Sequence, residues 1–143
     1  MQKINRFENE YAFLSNFYET PVMYNNILWR TSEHAYQAAK TDDPIAITEI
    51  ANCRTPGQAK RLGQKVKLKS DWDKIKIGVM KEIISNKFKN INLIDKLMET
   101  LGMPLIEGNH WHDNFWGDCN CSKCKNIKGQ NHLGKILMSL RGF

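Results

Sequence analysis

A carboxylate, an amide and an amine recur along one short stretch, as Glu33, Gln37 and Lys40 of Trp29-Arg30-Thr31-Ser32-Glu33-His34-Ala35-Tyr36-Gln37-Ala38-Ala39-Lys40. On an α-helix this spacing stacks the three in one polar stripe, with Ala35, Ala38 and Ala39 forming a small-residue face opposite. Such a set can move protons. An amine that is partly desolvated beside a carboxylate can also act as a nucleophile. The competing reading is a stripe that faces water, because Glu33 near the helix start and Lys40 near its end both suit the macrodipole. The bracketing aromatics Trp29 and Tyr36 favour a sheltered setting.

Other residues could join this chemistry. Asp113 and Glu33 could flank a substrate, and Trp72, Trp111 and Trp116 offer flat surfaces for stacking. In Phe13-Leu14-Ser15-Asn16-Phe17 a polar pair sits between large apolar residues, which suits either a side-chain-stabilised turn or a hydrogen-bonding loop beside a ring-shaped ligand. The basic run Lys60, Arg61, Lys65, Lys67 and Lys69 is either solvated surface or a place for phosphate. A histidine–cysteine nucleophile pair is set aside, since nothing puts either member at a helix terminus or beside an orienting group.

Cys119, Cys121 and Cys124 follow a C-x-C-x2-C spacing. A tetrahedral zinc site would need one more ligand, from His110, His112, His132 or Cys53. The usual pair of C-x2-C hooks is missing, so free thiols are the preferred reading and no metal is assigned. Structural zinc on Cys119, Cys121 and Cys124 is the alternative, and no cofactor is expected to be required.

The elements that would position these residues follow from pattern. Residues 4–28 read as strand-like pieces and turns, with Asn25-Asn26 marking a hairpin. Thr31 or Ser32 caps the helix just described. A short helix follows over Pro44 to Asn52, and Thr55-Pro56 starts another that runs to about Lys65. Ser70 and Asp73 form an S-x-x-D box opening a long core helix, whose inward residues are Trp72, Ile75, Val79, Met80, Ile83, Ile84 and Phe88. A helix from Asn92 turns Leu93, Ile94, Leu97, Met98 and Leu101 inward and stops at Gly102. Met103 to Ile106 reads as an edge strand, and Glu107 to Gln130 as a long functional loop. The last helix begins near Asn131 and buries Leu133, Ile136, Leu137 and Leu140. The expected fold is α+β, mainly α-helical, as a single compact domain over residues 1–143 with a small N-terminal β element.

The formal net charge of +6 biases the surface mildly toward polyanions, nucleic acid or phosphorylated metabolites. No stretch approaches the roughly 20 apolar residues of a membrane span, and Met1 to Phe7 lacks the apolar run of a signal peptide. Cysteine clustering argues against a secreted disulfide framework. A cytoplasmic protein with no membrane partner is expected.

Several blocks together resemble the NADAR family, also called YbiA-like. They are Phe13-Leu14-Ser15-Asn16-Phe17, Trp29-x-Thr31-Ser32-Glu33-His34-x-Tyr36-Gln37-Ala38-x-Lys40, Lys60-Arg61-Leu62-Gly63 before Trp72, Lys87-Phe88, Trp116-Gly117-Asp118, Gly129-x-Asn131-x-Leu133-Gly134 and Leu137-Met138. The resemblance runs in order over nearly the whole chain. It implies the NADAR fold and an N-glycosidase that cuts between ribose C1′ and a nitrogen. Two substrate classes are associated with the family: phosphoribosylamino-pyrimidine intermediates of riboflavin biosynthesis, and ADP-ribose on guanine bases, including ADP-ribosylated nucleic acid. Carried over by position, Glu33 and Lys40 would be catalytic. Trp72, Asp113, Trp116 and Gly117 would line the site, and Asn16, Arg61 and Asn131 would hold sugar or phosphate. One departure stands out: Cys119 to Lys128 intervenes where many relatives have a short glycine-rich join.

Two mechanisms remain open at this stage. Lys40 either attacks C1′ or traps the opened sugar while Glu33 moves protons, or Glu33 activates water and Lys40 only binds. Two rival functions stand beside the enzyme. One is a non-catalytic zinc-knuckle module binding nucleic acid along Lys60 to Lys69; the other is a scaffold with Glu33 and Lys40 in open water.

Overall fold

The computed structural model describes residues 2–142 and is mainly helical with short strands, an α+β fold. The chain groups into two compact units, residues 16–90 and residues 1–15 with 91–143.

In the first unit, strands β1 (Val22–Tyr24) and β2 (Ile27–Trp29) pair antiparallel with Met23 opposite Leu28. Their two-residue turn places Asn25 at φ 54° and Asn26 at φ 62°, the left-handed pair that twists in step with a hairpin. Trp29 is buried and its indole N–H donates to the Tyr24 carbonyl at 3.0 Å, closing the hairpin. Four helices follow: α1 (Ser32–Ala39), α2 (Pro44–Ala51), α3 (Pro56–Gly63) and α4 (Trp72–Lys87). Thr31 is the N-cap of α1, its hydroxyl accepting from His34 N at 3.2 Å, a contact that contributes about 1 kcal/mol in typical helices. Asp43 caps α2, and Thr55 with Gln58 forms a reciprocal capping box on α3.

Helix α4 departs from its expected start. It begins at Trp72 with Asp71 in the capping position and no side-chain cap, so the Ser70–Asp73 box does not form. The chain before it is instead held by Trp72 N donating to Lys69 O. Trp72, Met80, Ile83, Ile84 and Phe88 are buried as the periodicity predicts, whereas Ile75 and Val79 are only half-buried.

In the second unit, residues 9–14 form a 3-10 helix (Asn9–Leu14) where strand-like pieces were expected. Asn9 at φ 56° turns the chain into it. Helix α5 (Ile91–Met98) buries Leu93 and Leu97, but Met98 and Leu101 face outward. The helix ends before Leu101, and the turn that carries Leu101 reverses at Gly102, φ 88°. The expected edge strand at Met103–Ile106 reduces to one parallel bridge between Leu105 and Ile4. Within the long loop, β3 (Gly108–Asn109) and β4 (Asp118–Cys119) pair in parallel. Helix α6 (His132–Arg141) buries Leu133, Ile136 and Leu137; Leu140 shares that stripe, yet in the last turn of the helix it is exposed. Arg141 is buried and its guanidinium donates to the Thr100 and Met103 carbonyls at 2.7 and 2.8 Å, capping the turn after α5.

Lys87, quoted above only as part of a motif, is 1% exposed. Its ammonium lies over the Tyr18 and Phe88 rings at 5.8 and 5.3 Å, contacts that favour the charged form. Burial wins over them and pushes the Lys87 amine down to about 7. Above that pH the unfolded chain holds a proton that the folded chain lacks, so this residue makes stability rise with pH up to the ordinary lysine range. Urea unfolding at pH 7 and pH 9 should show the wild type gaining about 2 kcal/mol relative to Lys87→Met across that interval. Parallel pH profiles for the two proteins would contradict it.

Candidate active site

Every residue of α1 from Ser32 to Ala39 is buried, which overturns the reading of its polar stripe as a solvated face. The helix is enclosed by α2, α3, α4 and the β1–β2 hairpin. Each polar side chain in it therefore needs a partner within the fold. For His34, 0% exposed, the partners fix the tautomer. The Cys53 carbonyl 3.0 Å from Nε2 can only accept, so Nε2 carries the proton. Nδ1 then accepts from the Thr31 hydroxyl at 2.7 Å. Burial lowers the His34 pKa, with the Arg30 charge adding to it, and the ring stays neutral as a tie between α1 and the end of α2. The histidine of the motif is thus structural.

Glu33 is 7% exposed, and the Gln37 amide nitrogen donates to its Oε2. Its own N–H donates to the Asn16 carbonyl at 3.1 Å, which ties the loop after Ser15 to the start of α1. Asn16 is itself buried, and its Nδ2 lies 3.6 Å from the Met80 sulfur. Asn16 Oδ1, Ser32 Oγ and Gln37 Oε1 are buried oxygens with no hydrogen-bond partner among the described residues. Buried polar atoms are rarely left so, and functional sites are where exceptions concentrate.

Lys40 sits at the C-cap of α1, half-buried, with Nζ 5.5 Å from the centre of the Tyr36 ring. Tyr36 packs on Trp72 at 5.4 Å between ring centres, so amine, phenol and indole form one stack. Burial lowers the Lys40 pKa; the Glu33 charge opposes the shift, while Lys60 and Lys76 add to it. Acid and amine therefore sense each other across two helical turns, about 10 Å along the axis. The carbonyl of Lys40 accepts from Lys69 N at 2.8 Å, which fixes the helix end. Beyond it, a surface hollow of about 510 Å³ is lined by Thr41, Asp42, Lys67 and Lys69 among others, and neither Glu33 nor Lys40 is on its walls.

Two further lysines bear on this group: Lys60, named in the sequence only within the basic run and a family motif, and Lys76, which the sequence reading did not name. Arg61 is exposed, and its charge is felt by Cys53. Its neighbour Lys60 is the residue of α3 whose charge reaches Lys40, and its Nζ lies 5.9 Å from the Phe17 ring centre. Lys76, from α4, pairs with Asp73 at 3.2 Å and also reaches Lys40. The motif Lys60-Arg61 pointed to the right turn of helix. Nothing in the sequence marked Lys76.

The remaining expected residues, Asp113, Trp116, Gly117 and Asn131, belong to the second unit. Asp113 Oδ1 accepts from the N–H groups of Phe115 and Trp116 at 3.1 and 2.9 Å, folding the turn that presents Trp116. Trp116 meets Phe115 edge-on at 4.8 Å, and Phe115 packs against His132 at 4.5 Å. At Gly117 a Cβ would overlap Glu107, so the glycine permits a close backbone approach. Asn131, left-handed at φ 52°, spends its side chain on Glu107 N and Leu105 O, both at 2.9 Å. Trp111 is 48% exposed.

A NADAR domain model matches residues 4–142, spanning both units, and the chain belongs to the NADAR family. Among its relatives is an N-glycosidase of Nostoc punctiforme, 36% identical over 136 residues that cover 92% of this chain and 84% of that protein. A riboflavin biosynthesis protein of Vibrio vulnificus is 34% identical over 137 residues; the match covers 94% of this chain but only 36% of that longer protein. The NMR structure of the Escherichia coli protein YbiA superposes with a TM-score of 0.83 at 33% identity, over 99% of this chain and 85% of that one.

Gly63 at the end of α3 lies so close to α1 that a Cβ would overlap the Gln37 side chain. Gly63→Ala should therefore displace the amide that holds Glu33 and cost about 1–3 kcal/mol in urea unfolding. Gly78→Ala, on an exposed helical position with nothing within 4 Å, should be neutral or stabilising by up to about 1 kcal/mol. Equal effects of the two substitutions would contradict the close approach at Gly63.

Proposed function

We propose that this N-glycosidase hydrolyses the C1′–N bond of a phosphorylated N-riboside, with Glu33 as proton carrier and Lys40 as nucleophile. The observation that carries the reading is a buried Glu33 and a half-buried Lys40 on one helix, where desolvation lowers the amine pKa and the carboxylate charge opposes the shift. A depressed lysine supplies more neutral amine at physiological pH, the form that can attack. In the step envisaged, Lys40 Nζ bonds to C1′ as the C1′–N bond breaks. The bond pair leaves with the base nitrogen, which takes a proton from Glu33. The attached ammonium returns one proton to Glu33, and its second proton passes to the ring oxygen as the C1′–O4′ bond breaks, which opens the furanose to a Schiff base. Water then adds to C1′ and the C–N bond to lysine breaks, freeing the sugar and restoring the amine.

Lys60 and Lys76 suit the substrate's phosphate, because both carry charge close enough to affect Lys40. Asn16 Oδ1, a buried acceptor, suits a ribose hydroxyl. Asp113 is assigned to positioning Trp116, since its carboxylate is committed to the turn. Within the phosphorylated N-ribosides, phosphoribosylamino-pyrimidines accord with the relatives named for riboflavin biosynthesis. The net charge of +6 is equally suited to ADP-ribosyl guanine in nucleotide or nucleic acid.

Incubation with both substrate classes should release aminopyrimidine or guanine base; release from neither would overturn the reading. Glu33→Gln should lower kcat by about 10²–10⁴-fold, as loss of a proton-transfer group does. Borohydride added during turnover should fix a sugar on Lys40 by reducing the Schiff base, seen as a mass increase on its peptide. Unmodified protein under active turnover would leave Lys40 a binding residue only. The kcat profile should rise with pH through an inflection below the ordinary lysine value, because Lys40 is depressed and its neutral form is the reactive one.

A further inference from the structure

We propose that His112, Cys119, Cys121 and Cys124 bind one zinc ion that holds the segment between β3 and α6 in place. One donor atom from each residue lies within 4.8 Å of all the others. His112 Nδ1 is 3.3 Å from Cys121 Sγ, 3.4 Å from Cys124 Sγ and 3.9 Å from Cys119 Sγ. Zinc bonds of about 2.0 Å to nitrogen and 2.3 Å to sulfur at a tetrahedral angle put the two atoms about 3.5 Å apart, the middle of that range. All the cysteines are free thiols. Of the four candidate fourth ligands, the backbone selects His112, which adopts φ 70° and turns its ring nitrogen onto the sulfurs.

The surroundings are built for a fixed cluster. Asn109 Oδ1 accepts from Trp111 N at 3.3 Å and Asp113 N at 3.1 Å, and its Nδ2 donates to the Asp113 carbonyl, so both sides of His112 are clamped. Asn114 Oδ1 accepts from Cys119 N at 2.9 Å, and Cys119 Sγ accepts from His112 N at 3.3 Å. Such outer contacts orient ligands and are half of a metal site's design. Yet Ser122, Lys123 and residues 125–128 are exposed, so Cys124 is the one residue of 122–128 that is buried, and Cys119 is buried with it. A sulfur cluster with two buried members inside a polar, exposed loop has the anatomy of a metal-pinned segment rather than a packed core.

Three thiolates and a neutral imidazole form a soft donor set that suits zinc over harder cations. They occupy all four tetrahedral positions and leave none for an activated water, which makes the ion structural. Binding sends three thiol protons to solvent and leaves a net charge of −1, which Lys123, Lys125 and Lys128 on the same loop offset. The proposal stands independently of the N-glycosidase reading.

Metal analysis of the purified full chain should find one zinc per molecule. Apo protein titrated with Co²⁺ should develop the visible absorption of a tetrahedral cobalt–thiolate centre, bleached by added Zn²⁺. Cys121→Ser and His112→Ala should each lose stoichiometric zinc, while Cys53→Ser, outside the cluster, should retain it. Trypsin should cut the wild type at Lys123, Lys125 and Lys128 faster once the metal is removed. Should a variant fail to fold, the Co²⁺ titration of wild-type protein decides the matter alone. Absence of both zinc and a cobalt–thiolate spectrum, or zinc retained by both variants, overturns the site.

Discussion

Helix α1 is buried from end to end, yet half of its residues, Ser32, Glu33, His34 and Gln37, are polar, besides the phenol of Tyr36. That is the constraint on which the unit of residues 16–90 depends. An unpaired charge or amide in such a place costs far more than a surface one. The fold responds by pairing His34 with Thr31 and the Cys53 carbonyl, Glu33 with Gln37, and Glu33 N–H with Asn16. The small faces of Ala35, Ala38 and Ala39, together with Gly63 from α3, let neighbouring helices approach closely enough to enclose it. What this pairing leaves over is a depressed lysine and buried oxygen acceptors beside a carboxylate, the groups that the proposed chemistry uses.

Much of this framework was legible in the sequence because it is local. The caps at Thr31 and Thr55, the Asn25-Asn26 turn and the core face of α4 each follow from residues within a few positions of one another. Burial of the α1 stripe was not legible. A helical wheel says which residues share a face and cannot say what covers it. The same limit explains Lys60 and Lys76, which reach Lys40 from α3 and α4 and bear no sequence relation to it. Adjacent positions on a helix differ by about 100°, so telling whether Lys60 or Arg61 approaches Lys40 required knowing which way α3 is rotated. The start of α4 shows the converse: an S-x-x-D pattern was present, but Trp72 N is bonded to Lys69 O in a turn before the helix and no side chain caps it.

The second unit is organised by polar side chains that tie backbone to backbone. Asn131, Asn109, Asn114 and Asp113 each hold two or more chain segments or turns together. Family motifs such as Gly-x-Asn-x-Leu-Gly and Trp-Gly-Asp therefore read, in this chain, as the joinery of a loop-rich unit. Spacing alone left four candidates for the partner of Cys119, Cys121 and Cys124. The choice of His112 needed the left-handed turn at that residue, a backbone feature no spacing rule contains.

The central claim is that Glu33 and Lys40 are electrostatically coupled within a water-poor setting, and the Lys40 side-chain nitrogen reports it directly. A ¹⁵N NMR titration of lysine Nζ should place Lys40 below the ordinary lysine range in the wild type. It should fall further in Glu33→Gln, where the one charge that raises it is gone. A Lys40 that titrates with the surface lysines, unmoved by the loss of Glu33, would contradict the account.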